Sequence, residues 1–352
     1  MSEKIKVGVI GCGTIANAQH LPMYSKSPNA EIAYVCDIIP ERAKKAAEQY
    51  GGKAVTDYHE ILKDESVKAV SVCTPNYCHS TISIDAVKAG KNVLCEKPAA
   101  YTLSEAEKML EAKKETGKIL NIGVCNRFDT QINKIKELIE EGVLGEIYNV
   151  YISFRSHRSI PGLGGAFTTK SMAGGGVLID WGVHFLDIVM YCCGDPKAKT
   201  VSCETFSKLG RDIDDYTYVD MWAGPPISGG TNDVEEAVTG LIRTDGPVIN
   251  INGAWAQNIG KREMFIDFMG EKGGIRLNYG EDFTLYTVKN GMLAKTTFDM
   301  QKKSKFENEI EAFLEAVKSG KELASSISVN ILTSRLMDAI YRSAETHKEI
   351  EL

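Results

Sequence analysis

The sequence lacks the features that mark several large classes of protein. Acidic residues outnumber basic ones, 47 against 41, which argues against a nucleic-acid partner or an anionic membrane surface. No apolar run approaches the roughly 18 residues that span a bilayer, and the chain enters a predicted strand almost at once, leaving no room for a signal peptide. We therefore expect a cytoplasmic protein with no nucleic-acid and no membrane partner.

Paired metal-binding or redox cysteines are also missing. None of the nine cysteines forms a Cys-x-x-Cys pair, and most lie in apolar strand contexts, such as Cys36, Cys73 and Cys95. This usage favours buried, reduced thiols, and we expect no metal site. Internal repeats and low-complexity segments are absent as well. A chain of 352 residues with 43% hydrophobic content is large enough for two domains, predicted at residues 1–125 and 126–352.

The most informative feature that is present is a nucleotide-binding motif at the start of the chain. An apolar run leads into Gly11-x-Gly13-x-x-Ala16, and a second apolar run ends at Asp37, 21 residues after Ala16. Gly11 permits a tight strand-to-helix turn, Gly13 lets the backbone approach a pyrophosphate, and small Ala16 allows the helix to pack on the sheet. A strand, this loop and a helix in that order predict a dinucleotide site.

The acid at position 37 predicts which dinucleotide binds. A carboxylate there can accept hydrogen bonds from both ribose hydroxyls and would repel a 2′-phosphate, so Asp37 favours NAD over NADP. Thr14 and Ile15, inside the motif, are further predicted cofactor contacts. Arg42 could stack on adenine, or it could lie solvated on a surface helix.

Strands alternate with helices through the first 125 residues, which predicts an α/β fold with an N-terminal Rossmann domain, a doubly wound parallel sheet. Ligands of such sheets lie at the carboxyl ends of the strands. The loops 11–16, 74–79, 95–98 and 125–128 are therefore expected near the cofactor. The further cofactor contacts predicted in them are Thr74, Asn76, His79, Glu96 and Lys97.

A purely structural role is the alternative interpretation of these loop residues. His79 could simply cap the next helix, and Glu96 with Lys97 could form a solvated surface ion pair.

The pattern changes near residue 147 and predicts a C-terminal α+β domain with a large, mostly antiparallel open sheet. Strands are predicted at 148–154, 200–206, 216–222, 236–243, 248–255, 264–269 and 275–279, followed by helices at 307–318 and 329–346 that pack back across the domains. In the segment 216–222, alternation places Tyr216, Tyr218 and Trp222 on one face and Val219 on the other. Because such a sheet needs cover on both faces, a homo-oligomer (dimer or tetramer) through the C-terminal sheet is expected.

Three further motifs narrow the class: Cys95-Glu96-Lys97-Pro98, Thr74-Pro75-Asn76-Tyr-Cys-His79, and Gly174-Gly-Gly-Val-Leu-Ile-Asp180-Trp-Gly-Val-His184. With the opening motif, they resemble the glucose–fructose oxidoreductase / inositol dehydrogenase (Gfo/Idh/MocA) family almost end to end. The resemblance implies oxidoreduction with a pyridine nucleotide, acting on a hydroxyl of a sugar, a glycoside or a cyclitol. It also implies a small-molecule carbohydrate or polyol as the partner.

The predicted catalytic residues are Lys97, Asp180 and His184. Hydride leaves a secondary alcohol only as the hydroxyl proton leaves, and imidazole is the natural acceptor for that proton. Asp180 and His184 are four residues apart on a predicted helix, so they share a face, and the carboxylate can orient the imidazole or bind substrate. Lys97 would stabilise the oxygen that becomes partly alkoxide.

Predicted substrate contacts, besides Asp180 and His184, lie after two strands of the chain. Asn126 and Arg127 follow one strand, and Arg155 and His157 begin the long polar segment 155–170, which is either a substrate loop or a flexible crossing. Asp187 continues the face of the catalytic helix but could merely anchor it.

Two alternatives to simple dehydrogenation stay open. Oxidation beside an acidic C–H could open a glycoside elimination with recycled NAD. A non-catalytic regulator could also use the same fold to sense nucleotide or sugar, although such a protein has no need of Lys97 and His184.

Overall fold

The protein is described by a computed structural model, in which residues 4–301 and 303–352 are placed. They form two compact units. The first takes the described residues up to Asp129 together with Lys303–Ser334, and the second takes Thr130 to Gln301 together with Arg335–Leu352.

Within the described residues, the first unit is built on a six-stranded parallel sheet. Its strands are β1 (Ile5–Ile10), β2 (Ala30–Cys36), β3 (Lys53–Val55), β4 (Ala69–Val72), β5 (Asn92–Glu96) and β6 (Leu120–Gly123). They lie in the order β3-β2-β1-β4-β5-β6, and every neighbouring pair is parallel. This order belongs to doubly wound nucleotide-binding folds and confirms the predicted Rossmann sheet.

The helices have recognisable start and stop residues. Their bounds are α1 (Leu21–Lys26), α2 (Pro40–Tyr50), α3 (His59–Lys63), α4 (His79–Lys88), α5 (Leu103–Thr116), α6 (Thr130–Glu140), α7 (Lys170–Ala173), α8 (Val183–Cys192), α9 (Lys305–Ser319) and α10 (Ile327–Thr346). Thr102 caps α5 by accepting the N–H of Glu105 at 3.3 Å, and Gly117 ends it in the left-handed conformation. Two π-helical turns, Ala16–His20 and Leu178–Gly182, precede α1 and α8.

In the described part of the second unit, nine strands form the other sheet. They are β7 (Ile147–His157), β8 (Ala198–Phe206), β9 (Ala237–Thr244), β10 (Val248–Gln257), β11 (Glu263–Gly270), β12 (Gly273–Asn278), β13 (Phe283–Lys289), β14 (Met292–Thr297) and β15 (Ile350–Glu351). Their order is β14-β13-β12-β11-β7-β10-β9-β8-β15. The pair β7 and β10 is parallel and the other pairs are antiparallel, which confirms the predicted, mostly antiparallel sheet.

The prediction of a strand at 216–222 is wrong. Residues 207–236 contain no strand, and Tyr216 is buried while Tyr218 and Trp222 are 42% and 53% exposed. Glycines and the pair Pro225-Pro226 break up the segment, and its backbone bonds instead to the loop 157–170, for example from Val219 N–H to the carbonyl of Arg158. The alternation of apolar groups in 216–222 therefore gives no support to oligomerisation.

A hairpin and a helix of the second unit were not predicted from the sequence. Strands β13 and β14 are joined at Asn290-Gly291, whose φ angles of +51° and +75° are the left-handed values that Asn-Gly hairpin turns require. Helix α6 follows the first unit directly and packs against α8 within the second.

The segment Lys170–Cys192 is long and apolar enough to cross a membrane by length and composition. However, 72% of its apolar window is buried inside the protein, as in the core helix of a globular domain. Its Phe185 packs on Phe154 of β7 at a ring-centroid distance of 5.0 Å and on Tyr279 at 4.8 Å. All nine cysteines are free thiols, and seven of them are buried.

Candidate active site

The loop after β1 has the geometry of a phosphate-binding turn. Gly11 has φ of +93°, and a Cβ atom there would lie 2.5 Å from the carbonyl oxygen of Cys73, so position 11 accepts only glycine. A Cβ atom at Gly13 would meet no protein atom within 4 Å, which leaves the backbone at Gly13 open to a ligand. Thr14 is exposed and Ile15 half-buried, so both lie on the accessible side of the turn.

Asp37, directly after β2, is held by this same loop. One carboxylate oxygen accepts the N–H of Cys12 at 2.9 Å and the other accepts the N–H of Ile39 at 2.9 Å. These two bonds leave lone pairs on both oxygens for further donors. Ile38 beside it is 85% exposed, and Arg42 is exposed on α2.

The loop after β4 contains a polar atom that suits a bound cofactor. The hydroxyl of Thr74 is buried yet has no hydrogen-bond partner among the described residues. Asn76 follows it and is half-buried in a short 3₁₀ turn, Asn76–Cys78. An unpaired buried hydroxyl and an open glycine turn at the carboxyl ends of neighbouring parallel strands fit a dinucleotide.

Glu96 and Lys97, at the end of β5, belong to a buried polar network. Glu96 Oε1 lies 2.8 Å from His20 Nε2, Glu96 Oε2 accepts the N–H of Lys97 at 3.1 Å, and the peptide bond from Lys97 to Pro98 is cis. Burial raises the pKa of Glu96, but the hydrogen bond and charge of His20 outweigh it, so the pKa is lowered. Because the Glu96 carboxylate accepts the N–H of Lys97, it fixes the backbone at that residue. His20 was missed because no sequence signal links it to a residue 76 positions away.

Three other predicted contacts of the first unit are buried and hydrogen-bonded. His79 lies with its ring nitrogens 2.8 Å from the carbonyl oxygen of Pro98 and 2.9 Å from that of Thr74. The amide oxygen of Asn126 accepts from Lys305 at 2.7 Å. Arg127, only 3% exposed, donates to the carbonyl of Ala324 at 2.8 Å.

In the second unit, Asp180 and His184 share one accessible face of a buried helix. Across residues 175–190, the partly exposed positions are Asp180, Trp181 and His184, and the others are buried. Asp187 is 1% exposed and so lies inside the core. Asp180 and His184 are thus the polar side chains of this segment that are accessible from outside the core.

Asp180 is oriented by a buried indole. The Nε1–H of Trp255, on β10, donates to Asp180 Oδ2 at 3.2 Å, and Trp255 itself is 1% exposed. Trp255 was not among the predicted site residues, since it lies 75 positions from Asp180 and no sequence motif links the two.

The turn that precedes Asp180 is anchored by a second residue that the sequence did not reveal, Glu235. Its carboxylate accepts the N–H groups of Gly176 at 2.9 Å and Leu178 at 3.1 Å, and the hydroxyl of Tyr341 at 2.9 Å. Burial raises the pKa of Glu235. A Cβ atom at Gly176 would collide with the Glu235 carbonyl oxygen, and one at Gly175 with the Tyr341 hydroxyl, which explains the glycine run physically.

The remaining predicted substrate contacts lie at the end of β7. Arg155 forms an ion pair with Glu263, and Glu263 lines an open cavity of about 670 Å³ together with Lys261 and Arg262. His157 Nδ1 lies 3.1 Å from the carbonyl oxygen of Gln257. The described residues contain no group of three or more His, Cys, Asp or Glu that could hold a metal ion.

A nucleotide-binding turn on a doubly wound sheet, together with a partly exposed Asp–His pair in a second α+β unit, is the arrangement expected of a dinucleotide-dependent oxidoreductase. Comparison with known proteins agrees. Residues 5–124 match the model of the oxidoreductase family with an NAD-binding Rossmann fold, and residues 132–276 match the Gfo/Idh/MocA C-terminal domain. The chain belongs to the Gfo/Idh/MocA oxidoreductase family.

Two relatives illustrate matches over nearly the full length of both chains. D-glucoside 3-dehydrogenase of Escherichia coli is 32% identical over 358 residues, covering 100% of this chain and 98% of the relative. Myo-inositol 2-dehydrogenase of Thermotoga maritima is 28% identical, covering 99% and 98%. The aldose–aldose oxidoreductase of Caulobacter crescentus has the same fold, with a TM-score of 0.84 at 24% identity over 99% of this chain and 100% of that one.

Proposed function

We propose that the protein transfers hydride between NAD and a ring carbon that bears a hydroxyl, in a sugar, a glycoside or a cyclitol. The observation that carries this proposal is the partly exposed Asp180–His184 pair on a helix that is otherwise buried except at Trp181, with Asp180 oriented by Trp255. The relatives support the substrate class, since D-glucoside 3-dehydrogenase and myo-inositol 2-dehydrogenase are both named for oxidation of ring hydroxyls.

NAD would be held by the loop that contains Gly11 and Gly13, with Thr14 and Ile15 along its open side. The Asp37 carboxylate keeps acceptor capacity for two ribose hydroxyls and disfavours a 2′-phosphate. The unpaired hydroxyl of Thr74 supplies a further polar contact. When bound, the nicotinamide ring supplies the acceptor for hydride.

His184 acts as general base in this proposal and removes the hydroxyl proton of the substrate as hydride departs. Asp180 orients the imidazole or the substrate hydroxyl, and its own position is fixed by the Trp255 indole. Lys97 places a positive charge beside the developing alkoxide, an interaction that strengthens in the transition state and therefore increases kcat. Reduction of a ketone uses the same groups in reverse.

We also propose that the protein works in the cytoplasm as a homo-oligomer, a dimer or tetramer formed through the second sheet. The support is one face of that sheet, opposite the side that packs on Phe185. On this face Tyr151 stacks on Phe265 at 5.9 Å, the Arg276 guanidinium lies 4.0 Å from the centre of the Phe265 ring, and Tyr286 is 45% exposed. An aromatic, half-exposed sheet face is typical of a subunit interface.

The decisive experiment screens polyols, free sugars and glycosides with NAD and with NADP, following the absorbance of reduced nicotinamide. With the best substrate, Lys97→Met and His184→Asn should each lower kcat at least about a hundredfold, because each removes a group that acts in the transition state. Lys114→Met and His347→Asn, which change exposed residues of the same types, are the matched controls. Undiminished turnover in both variants would show that Lys97 and His184 are not catalytic residues.

A further inference from the structure

His79 makes an unusual pair of hydrogen bonds. It is the first residue of α4, it is 1% exposed, and both ring nitrogens meet carbonyl oxygens of the first unit. Nδ1 lies 2.8 Å from the oxygen of Pro98, in the loop after β5, and Nε2 lies 2.9 Å from the oxygen of Thr74, in the loop after β4.

These partners determine the protonation state of the ring. A carbonyl oxygen can only accept a hydrogen bond, so each ring nitrogen must donate one, and a ring with two N–H groups is an imidazolium. Either neutral tautomer would place a bare nitrogen against a carbonyl oxygen, the buried one of Pro98 or the partly buried one of Thr74, and would lose that hydrogen bond.

The surroundings of His79 favour the same state. Burial alone would lower the pKa of His79, but the neighbouring Cys95 sulfur and the two carbonyl oxygens outweigh it and raise the pKa to about 9. Among the described residues, Cys95 is the titratable group that acts most strongly on the ring. The cation is therefore retained through the neutral pH range.

The two carbonyls connect the ring to both loops that carry predicted active-site groups. Pro98 directly follows Lys97, whose own N–H is bound by the Glu96 carboxylate, so the backbone of this lysine is held on both sides. Thr74 begins the turn that contains Asn76.

We propose that His79 is a positioning residue, a buried imidazolium that fastens the lysine loop to the Thr74 loop and so fixes the direction of the Lys97 side chain. It acts through these loops and needs no contact with substrate. The consequence for turnover rests on the proposed function, whereas the protonation state stands on the geometry alone.

The first test is nuclear magnetic resonance of the full chain labelled with ¹⁵N-histidine. His79 should give a signal with two imidazolium-type nitrogens, each with a slowly exchanging proton, from about pH 6 until the pH passes about 9. Absence of that signal from His79→Asn assigns it. A neutral ring at position 79 at pH 7 would overturn the proposal, whatever the enzyme's substrate.

The second test separates the two bonds. The amide nitrogen of asparagine takes roughly the place of Nδ1, so His79→Asn keeps a donor toward Pro98, and that of glutamine takes the place of Nε2, so His79→Gln keeps a donor toward Thr74. We expect His79→Gln to lower kcat about tenfold or more with KM for NAD little changed. His79→Asn should keep more of kcat and raise KM for NAD.

The control is His59→Asn, which alters an exposed histidine of the same unit, paired with Asp57, and should leave both constants within about twofold. Equal losses in the two His79 variants, or none, would show that His79 has no positioning role. Failure of the proposed function has a different signature: full turnover in Lys97→Met, with the imidazolium signal of His79 still present.

Discussion

The anchor at Glu235 leads to the sharpest prediction about the catalytic helix. Substituting Glu235→Gln replaces one acceptor oxygen by an NH₂ group. The amide oxygen can still accept from Leu178 N–H and the Tyr341 hydroxyl, which share Oε1 in the native protein, but the NH₂ group then faces the N–H of Gly176. One buried donor loses its acceptor, which costs about 1–3 kcal/mol.

The neighbouring glutamate provides a matched control. Glu236 is also buried, but both of its donors, the N–H groups of Lys208 and Leu209, meet the same oxygen, Oε1, at 2.6 and 3.0 Å. Its Oε2 has no partner among the described residues. Glu236→Gln can keep both bonds on the amide oxygen, so we expect its stability to change by no more than about 0.5 kcal/mol.

The assays are urea unfolding followed by circular dichroism, and steady-state kinetics. Glu235→Gln should unfold at lower urea and lose kcat, since the turn it anchors lies two to four residues before Asp180. Glu236→Gln should match the wild type in both measurements. If the two variants behave alike, or if Glu235→Gln keeps full stability and turnover, then the carboxylate does not hold the helix start in the way its hydrogen bonds indicate.

Two other predictions concern the cofactor and the assembly. Asp37→Ser should raise kcat/KM for NADP relative to NAD by about tenfold or more, because it removes the charge that repels a 2′-phosphate; an unchanged ratio in steady-state assays with both cofactors would contradict the role of Asp37. Tyr286→Lys should lower the mass measured by light scattering, since it places a charge in the aromatic sheet face, whereas Tyr77→Lys, an exposed tyrosine of the first unit, should not. If light scattering shows that the wild-type protein is a monomer, the proposed homo-oligomer is contradicted.

Local signals in the sequence were sufficient to predict the parallel sheet. Glycine turns, a Pro at the start of α2 and buried Val and Ile runs act over a few residues, so the alternation of strand and helix could be read directly. The prediction of a strand at 216–222 was wrong because strand formation there depends on more than local signals. The aromatic alternation of this segment imitates a strand, but a strand also needs a neighbour to pair with, and the flanking glycines and prolines direct this backbone to another loop.

Motifs located the predicted site residues but not the groups that hold them in place. Asp180 and His184 could be proposed from one stretch of sequence, whereas Trp255 lies on β10 and Glu235 in the loop before β9, 75 and 59 positions from their partners. An ordinary Trp or Glu has no local pattern that reports such a contact. The hairpin at Asn290-Gly291 is different, because its turn signal was present and was overlooked.

The first unit is discontinuous along the chain, and this has a consequence for how the protein is made. Ile310, Phe313 and Leu314 of α9 are buried in the same core cluster as Val7 and Leu21. A ribosome releases the six parallel strands long before it synthesises this helix. The apolar surface that α9 covers in the finished protein is therefore exposed on the nascent sheet while more than 170 residues of the second unit are synthesised. Chaperone binding during synthesis should concentrate in that interval and end once α9 has left the exit tunnel.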